Sequence, residues 1–266
     1  MLKKALAGIA LVGGMWLYAA LLLFPLRLPH LLRRSRALPP GGLGLLFSGP
    51  GLSNGPHPDE RVARSAAPFD PVASDYDRCV GPFAEPIFAA ALDAMRPHLA
   101  RGSRVLDVGC GPGTSLRRVA RLLPAGEVVG VDLSIEMLRL AHERSKKEGI
   151  GNVAFYQADV AALPACFTSS FDVAYSCLVH HHLERPLEAV RNITASLRPG
   201  GIYGAIDATG ALLTTLATPL ARAVDPGWVG FTRHEALMDL MRSAGLADVR
   251  WIPLSPGVGM AVGTRA

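Results

Sequence analysis

The chain has 266 residues, of which half are apolar and 18% are charged, and its mean hydropathy is +0.28. This composition excludes disorder as the main state and prompts a search for a membrane segment. The formal charge is +5, but six of the 27 basic residues and none of the 22 acidic ones fall within residues 1–36. The rest of the chain has no basic excess, which argues against a nucleic-acid partner.

The N-terminal region predicts a membrane anchor. Residues 5–24 carry no charge, and twenty helical residues reach about 30 Å, enough to cross the hydrocarbon layer. A cleaved signal peptide is the alternative, but this run is longer than usual and no small-x-small pair follows it. Four arginines between residues 27 and 36 favour a cytoplasmic carboxyl side. We therefore expect a single-pass anchor with a basic flank over 1–36.

Two further segments complete the predicted organisation. Residues 37–68 contain twelve glycines or prolines, a density typical of a linker. Residues 69–266 carry the pattern of a folded domain. The four cysteines of the chain match neither a paired metal site nor a disulfide framework, so we expect reduced thiols.

The folded part alternates short apolar runs with amphipathic stretches. Apolar strands separated by helices indicate a parallel sheet covered on both faces, and thus an α/β doubly wound domain. In chain order we predict a helix at 83–98 with Pro86 in its first turn, a strand at 104–108, a helix at 114–123, a strand at 127–132, a helix from Ser134 to Gly149, strands at 152–157 and 171–176, a helix at 186–197, a strand at 202–206, a helix ending at 239–245, and a final antiparallel hairpin of 247–252 and 258–264.

Small and acidic residues follow the ends of the first three predicted strands. Gly109, Gly111 and Gly113 follow the first strand, where the missing Cβ atoms let backbone amides approach a ligand. Asp132 ends the second strand and can bind both hydroxyls of a ribose, while Asp159 after the third can bind an adenine amine. Ligands of doubly wound sheets sit at such strand ends, so the sequence predicts a nucleoside site.

The glycine spacing distinguishes two nucleoside cofactors. Dinucleotide sites use G-x-G-x-x-G, whereas residues 109–113 read G-x-G-x-G and are preceded by Asp107. A carboxylate at that position repels phosphates and suits an ammonium group. The pattern therefore favours adenosine joined to an amino acid, and an NAD-dependent oxidoreductase is the rival enzyme class.

Five segments in succession resemble the motifs of class I S-adenosylmethionine-dependent methyltransferases. The resemblance covers roughly residues 70–266 and is closest to the small-molecule and lipid branch that includes the ubiquinone/menaquinone-type enzymes. It implies a seven-stranded, mostly parallel, Rossmann-like sheet that binds S-adenosylmethionine. The segments are VLDVGCGPG (105–113), VVGVDLS (128–134), ADVAALP (158–164), FDVAYSCLVHHHLERP (171–186) and LRPGG (197–201).

The resemblance also implies roles for individual residues. Asp107 and the glycines would line the methionine end of the cofactor, and Asp132 would hold its ribose. Asp159 with Val160 would flank the adenine, although Asp159 also suits a plain helix cap. The implied cofactor-binding residues are Tyr76, Asp107, Gly109, Cys110, Gly111, Gly113, Asp132, Leu133, Asp159, Val160, Ser176 and Cys177.

The reacting end of the site is expected to lie after the fourth strand. Ser176 and Cys177 would stand beside the reactive methyl, and Tyr76 would cover the cofactor or else pack on the domain edge. Of the histidines at 180–182, His181 is the candidate general base, and a turn-and-cap role is the alternative. No carboxylate or cysteine completes a metal set with these histidines, so we expect no metal site.

These observations predict a membrane-tethered methyltransferase facing the cytoplasm. Its expected acceptor is a lipophilic small molecule or lipid, such as a quinone ring, a phospholipid head group or an apolar metabolite. The apolar stretch 208–224 offers one face for such an acceptor or simply covers the sheet. A scaffold that binds S-adenosylmethionine without catalysis at a membrane is the non-enzymatic alternative.

Overall fold

A computed structural model describes residue 69, residues 73–208, residue 227, and residues 229–230, 232–255 and 257–266. The predicted anchor at 5–24, the linker at 37–68 and most of the apolar stretch 208–224 lie outside these residues. In the described part, no helix combines the length and hydropathy needed to cross a membrane.

The described residues form one sheet of seven strands flanked by helices. The strands are β1 (Arg104–Val108), β2 (Glu127–Asp132), β3 (Val153–Gln157), β4 (Phe171–Cys177), β5 (Leu197–Ala208), β6 (Leu246–Ser255) and β7 (Val258–Arg265). The helices are α1 (Ala73–Met95), α2 (Thr114–Leu122), α3 (Ile135–Lys147), α4 (Pro186–Ser196) and α5 (His234–Ser243).

The strand order is β3-β2-β1-β4-β5-β7-β6, and only β7 runs antiparallel to both of its neighbours. The parallel strands pair as β1 with β2, β2 with β3, β1 with β4, and β4 with β5. The order reverses between β1 and β4, which in a doubly wound sheet is the switch point that opens a ligand crevice. The predicted seven-stranded, mostly parallel sheet is therefore confirmed.

Apolar side chains cover both faces of the sheet because neighbouring strand residues point to opposite sides. One face packs against α1, α2 and α3, with Val105, Tyr175 and Ile206 from the strands in the same cluster as Phe88 and Leu116. The other face packs against α4 and α5. Both layers leave the carboxyl ends of β1, β2 and β4 available for a site.

Two predicted elements differ from the structure. Helix α1 begins ten residues earlier than predicted, so Pro82 and Pro86 are interior and Pro86 is not in the first turn. Each removes a backbone hydrogen bond, but both are exposed, and burial of the opposite face keeps the helix continuous. Strand β5 begins at Leu197, which pairs with Phe171; an exposed, irregular stretch separates this pair from the predicted strand at 202–206.

Candidate active site

The loop after β1 forms the floor of the crevice. The backbone N–H groups of Gly109 and Cys110 donate to the carbonyl of Val131, at 2.8 and 3.0 Å. Gly109 and Gly111 have φ angles of +67° and +52°, which only glycine adopts without strain. A Cβ on Gly109 would come within 2.5 Å of a Val179 methyl, whereas a Cβ on Gly111 would meet nothing within 4 Å. The loop is thus closed on one side and open on the other.

Asp132 connects this loop to the next strand. Its Oδ2 accepts from the N–H of Gly111 at 2.8 Å, and its Oδ1 accepts from the N–H of Ser134 at 2.9 Å. Ser134 then caps α3 by accepting from the N–H of Met137. Each carboxylate oxygen accepts up to two hydrogen bonds, so this arrangement is compatible with a ribose diol at the same carboxylate.

Asp107 lies behind the loop rather than on the surface of the crevice. Its Oδ2 accepts from the hydroxyl of Tyr175 at 2.6 Å and from that of Ser115 at 2.9 Å, and the residue is 1% exposed. Burial raises the pKa of Asp107 to about 7, against the lowering effect of the two hydroxyls. The expectation that Asp107 lines the methionine end is therefore corrected: its carboxylate ties β4 and α2 to the strand beneath the loop.

The start of α1 covers the loop. Asp77 accepts a hydrogen bond from the Thr114 hydroxyl at 3.0 Å and forms an ion pair with Arg144, which attaches α1 to α2 and α3. Its neighbour Tyr76 borders both cavities described below. Tyr76 therefore borders the same cavities as the glycine loop, and its role over the cofactor stays a prediction.

Two adjoining cavities open at this end of the sheet, with about 720 and 550 Å³ of space when the open solvent at their mouths is included. Both border Tyr76, Gly109, Gly111 and Cys177, and the smaller one also borders Cys110. The larger cavity is lined mainly by apolar side chains. Its lining is Phe69, Tyr76, Val108, Gly109, Gly111, Val131, Asp132, Leu133, Met137, Ala158, Val160, Cys177, Leu178, Val179, His182 and Leu183.

Two other predicted residues, Ser176 and Asp159, lie away from the cavities. Ser176 is fully buried and hydrogen-bonded to the Tyr203 hydroxyl at 2.7 Å, because adjacent residues of β4 point to opposite faces and only Cys177 faces the cavities. Asp159 caps the 3₁₀ turn Val160–Ala162 and pairs with Arg185, so the cap alternative describes its observed contacts.

Gly113 ends the loop against α3 instead of facing the crevice. It is the N-cap residue of α2, and a Cβ there would come within 2.9 Å of the Ala141 methyl. Its role in the structure is close packing between two helices. The loop residues that reach the cavities are Gly109, Cys110, Gly111 and Pro112.

The three histidines form a 3₁₀ turn after β4 and point in different directions. His180 Nε2 is 2.8 Å from the Tyr203 hydroxyl, and burial lowers the pKa of His180 to about 4. His181 Nδ1 is 2.8 Å from Asp207 Oδ1, and this imidazole is buried away from both cavities. Of the three histidines, His182 borders the larger of these two cavities and His181 borders neither, so the role of His181 as general base stays a prediction.

The family assignment rests on sequence comparison together with this architecture. A family profile described as a methyltransferase domain matches residues 105–201. The nocamycin O-methyltransferase of Saccharothrix syringae is 30% identical over 205 residues, which cover 68% of this chain and 72% of that protein. The chain belongs to the S-adenosylmethionine-dependent methyltransferase family. It is thus a methyltransferase of class I by fold, strand order and motif order.

Other relatives of this methyltransferase match over shorter stretches. A ubiquinone/menaquinone biosynthesis C-methyltransferase of Ectopseudomonas mendocina is 35% identical over 116 residues, 43% of each chain. A Haemonchus contortus phosphoethanolamine N-methyltransferase solved with S-adenosyl-L-methionine is 26% identical, with a TM-score of 0.55, over 64% of this chain and 38% of that one. The chain spans between 25% and 40% of the length of several further curated relatives.

The geometry of the methyltransferase fits the cofactor of its family, S-adenosylmethionine. Asp132 is positioned to hold the ribose, Gly111 leaves open space at the loop, and Val160 and Leu133 border the same cavity. When bound, the cofactor supplies an electrophilic methyl group on a sulfonium sulfur. The protein side supplies orientation, since a displacement at carbon requires the acceptor atom about 3 Å from that methyl.

Several residues of the cavity were missed by the sequence predictions. Leu178, Val179 and Leu183 flank the turn that carries the histidines, and His182 is the next residue after the predicted base. A 3₁₀ turn has three residues per turn, so neighbouring side chains point about 120° apart. Sequence spacing gives the angle between neighbouring side chains but not the direction in which each of them points. The bond from His181 to Asp207 fixes that direction.

Proposed function

We propose that this methyltransferase transfers the methyl group of S-adenosylmethionine to a lipophilic small molecule or lipid at a membrane surface. The observation that carries the proposal is the larger cavity. Its polar end holds Asp132 and the glycine loop, and its remaining wall is mainly apolar, with Tyr76 and His182 among the lining residues. A pocket with one polar end and one apolar wall suits a cofactor beside a greasy acceptor.

The apolar wall comes from three separate segments. Leu178, Val179 and Leu183 follow β4, Val160 follows β3, and Phe69 precedes α1. Transfer of a hydrocarbon acceptor into such a site gains roughly 25 cal/mol for each Å² of apolar surface removed from water. This term favours a hydrophobic acceptor over a sugar or an amino acid.

The sequence before the described residues supports a location at the membrane. The uncharged run 5–24 has the length of a bilayer span, and basic residues follow it. Tethering raises the effective concentration of the catalytic domain against an acceptor dissolved in the same bilayer. Basic residues near the surface contribute about 1 kcal/mol each toward anionic lipids.

A labelling experiment tests the proposal. The full-length protein is incubated with S-adenosylmethionine carrying a tritiated methyl group and with a total membrane extract, and the organic phase is separated and analysed by mass spectrometry. The proposal predicts a labelled apolar species in that phase. Cofactor binding in calorimetry without any labelled extractable product would instead support a scaffold that binds S-adenosylmethionine.

Two variants control the experiment. Asp132→Ala removes the carboxylate assigned to the ribose, so labelling and cofactor affinity should fall together. A variant lacking residues 1–36 should leave the membrane fraction and lose labelling of bilayer-embedded acceptor, while its affinity for the cofactor stays unchanged. A truncated protein that still sediments with membranes would contradict the anchor.

A further inference from the structure

The smaller of the two cavities lies between α1 and the start of α2. One stripe of α1 forms its first wall, because residues three and four apart on a helix share a face. The opposite wall is the glycine loop together with Thr114 and Ser115 in the first turn of α2. The stripe of α1 consists of Tyr76, Asp77, Val80, Gly81, Ala84, Glu85 and Phe88.

The linings of the two cavities divide the cofactor site into two parts. Asp132 and Val160, which fit the ribose and the adenine, border only the larger cavity. Gly109 and Cys177 border both cavities. The aminoacyl end of S-adenosylmethionine is joined to the adenosine through the sulfur. An adenosine in the larger cavity would therefore bring the aminoacyl end past the shared residues and into the smaller cavity.

The smaller cavity has an acidic lining. Among its described lining residues, Asp77 and Glu85 carry carboxylates and none is basic. The aminoacyl group carries an ammonium, for which a carboxylate is a strong hydrogen-bond acceptor. Asp107, which the sequence suggests for this role, is turned away from the cavity and accepts from two hydroxyls. The ammonium therefore needs a different carboxylate.

The two carboxylates of the smaller cavity differ in their partners. Asp77 Oδ2 accepts from the Thr114 hydroxyl and pairs with Arg144, so it is engaged by two other helices. In the described part of the chain, Glu85 Oε1 accepts from Arg118 and Glu85 Oε2 accepts no hydrogen bond. The side chains of Glu85 and Arg118 are 44% and 41% exposed, so water screens this ion pair and it stabilises the fold little. Glu85 is thus the carboxylate that is able to take another partner.

Glu85 also acts on the residue that the two cavities share. Burial raises the pKa of the Cys177 thiol, and negative charges nearby raise it further. Those charges belong to Asp107, Asp207 and Glu85. The carboxylate of Glu85 is therefore near the junction of the cavities as well as near Arg118.

The two walls of the smaller cavity have opposite polarity. A Cβ built on Gly81 would meet only the Asp77 Cβ, at 4.0 Å, so the middle of α1 leaves room in front of the loop. Thr114 and Ser115 line the other wall at the N-terminus of α2, where backbone N–H groups without a helical partner favour an anion. A zwitterion therefore fits with its ammonium toward α1 and its carboxylate toward α2.

We propose that Glu85 binds the ammonium group of S-adenosylmethionine and makes the protein specific for a ligand with an intact aminoacyl end. Arg118 holds the Glu85 carboxylate at the edge of the cavity, and the ammonium becomes its second partner. The proposal goes beyond the proposed function, because it concerns the methyl donor and no acceptor. A failure to find a methylated lipid would leave it standing.

Calorimetry with two ligands tests Glu85 in the full-length protein. One ligand is S-adenosylhomocysteine, and the other is its deamino analogue, which keeps the carboxylate but has hydrogen in place of the ammonium. Glu85→Gln should weaken binding of S-adenosylhomocysteine about fivefold or more and leave binding of the deamino analogue unchanged. Equal binding of S-adenosylhomocysteine by both proteins, or the same loss for both ligands, would overturn the proposal.

Two further variants separate ligand binding from a structural role of the ion pair. Arg118→Gln breaks the same pair but keeps the carboxylate, so it should bind S-adenosylhomocysteine at least as tightly as the unaltered protein. A loss equal to that of Glu85→Gln would show that the pair only attaches α1 to α2, and would overturn the proposal. Glu127→Gln is the matched control, because it breaks an ion pair with Arg104 at the amino end of β2 and should leave both affinities unchanged.

A variant of the cavity wall tests where the aminoacyl end lies. Ala84→Leu adds an isopropyl group to the lining of the smaller cavity. It should weaken binding of S-adenosylhomocysteine about tenfold or more, because the added group competes for the same space. Binding of 5′-methylthioadenosine, which lacks the aminoacyl end, should be unchanged. An equal loss for both ligands would overturn the placement of the aminoacyl end in the smaller cavity.

Discussion

The contact between Gly109 and Val179 gives a quantitative test of the loop. Gly109→Ala forces an alanine into a φ of +67° and brings its Cβ to 2.5 and 3.2 Å from the two Val179 methyl groups. The left-handed backbone costs about 1 to 2 kcal/mol, and overpacking typically adds 1 to 3. We expect Gly109→Ala to lower the free energy of unfolding by about 2 to 5 kcal/mol.

Gly111→Ala is the matched control, because its φ is also positive but nothing lies within 4 Å of a Cβ there. It should cost only the backbone term, about 1 to 2 kcal/mol. Adding Val179→Ala removes the two methyl groups, so the excess cost of Gly109→Ala should disappear in that background. The four proteins of this double-mutant cycle are compared by urea unfolding followed by circular dichroism.

The cycle has a definite contrary outcome. If Gly109→Ala costs no more than Gly111→Ala, or if Val179→Ala leaves the excess unchanged, the steric contact across the crevice is not what constrains Gly109. The loop would then owe its shape to the backbone bonds with Val131 alone.

Three further predictions concern the surroundings of the site. Because the folded-state pKa of Asp107 is raised, its stabilising contribution is present below pH 4 and is lost as the pH rises through about 7. Relative to Asp107→Asn, the unaltered protein should lose about 2 to 3 kcal/mol of unfolding free energy between pH 5 and pH 8, measured in urea titrations. Parallel pH profiles of the two proteins would refute this. Tyr203→Phe removes the hydroxyl that bonds Ser176 and His180, and leaving two buried polar atoms should cost about 2 to 4 kcal/mol in the same assay, whereas a neutral effect would argue against the bonds. Asp77→Asn weakens the attachment of α1 to α2 and α3 and should reduce the affinity for S-adenosylmethionine about fivefold in calorimetry, roughly 1 kcal/mol. Unchanged affinity would show that this attachment does not contribute to cofactor binding.

The strands and the nucleoside end of the site follow closely from local sequence. Strands β1 and β2 begin and end where their apolar runs predict, since both are buried on both faces. Asp132 and Gly111 come together because parallel strands bring their carboxyl ends to one edge of the sheet. Asp132 and Gly111 could therefore be assigned to the crevice from sequence alone, whereas Asp159 and Ser176 could not.

The details at the acceptor end depend on long-range contacts and could not be derived in this way. Asp107 was assigned to the crevice by its position before the loop, but the Tyr175 and Ser115 hydroxyls draw its carboxylate inward. The start of α1 was misplaced because Pro86 was expected to lie in the first turn, and tertiary packing of the opposite face outweighs that local signal. The surroundings of His181 depend on Asp207, which lies 26 positions away in the sequence.

The turn at His180–His182 shows how three consecutive histidines can have three different surroundings. One imidazole meets a tyrosine, the next meets an aspartate, and the last borders the larger cavity beside Phe69, so position within the turn determines the surroundings of each ring. Deleting or inserting one histidine within this run of three would leave the amino-acid composition almost unaltered. Each remaining histidine would nevertheless take the position and the contacts of its neighbour. Sequence alignments that place a gap within the triplet would therefore equate histidines that have different surroundings.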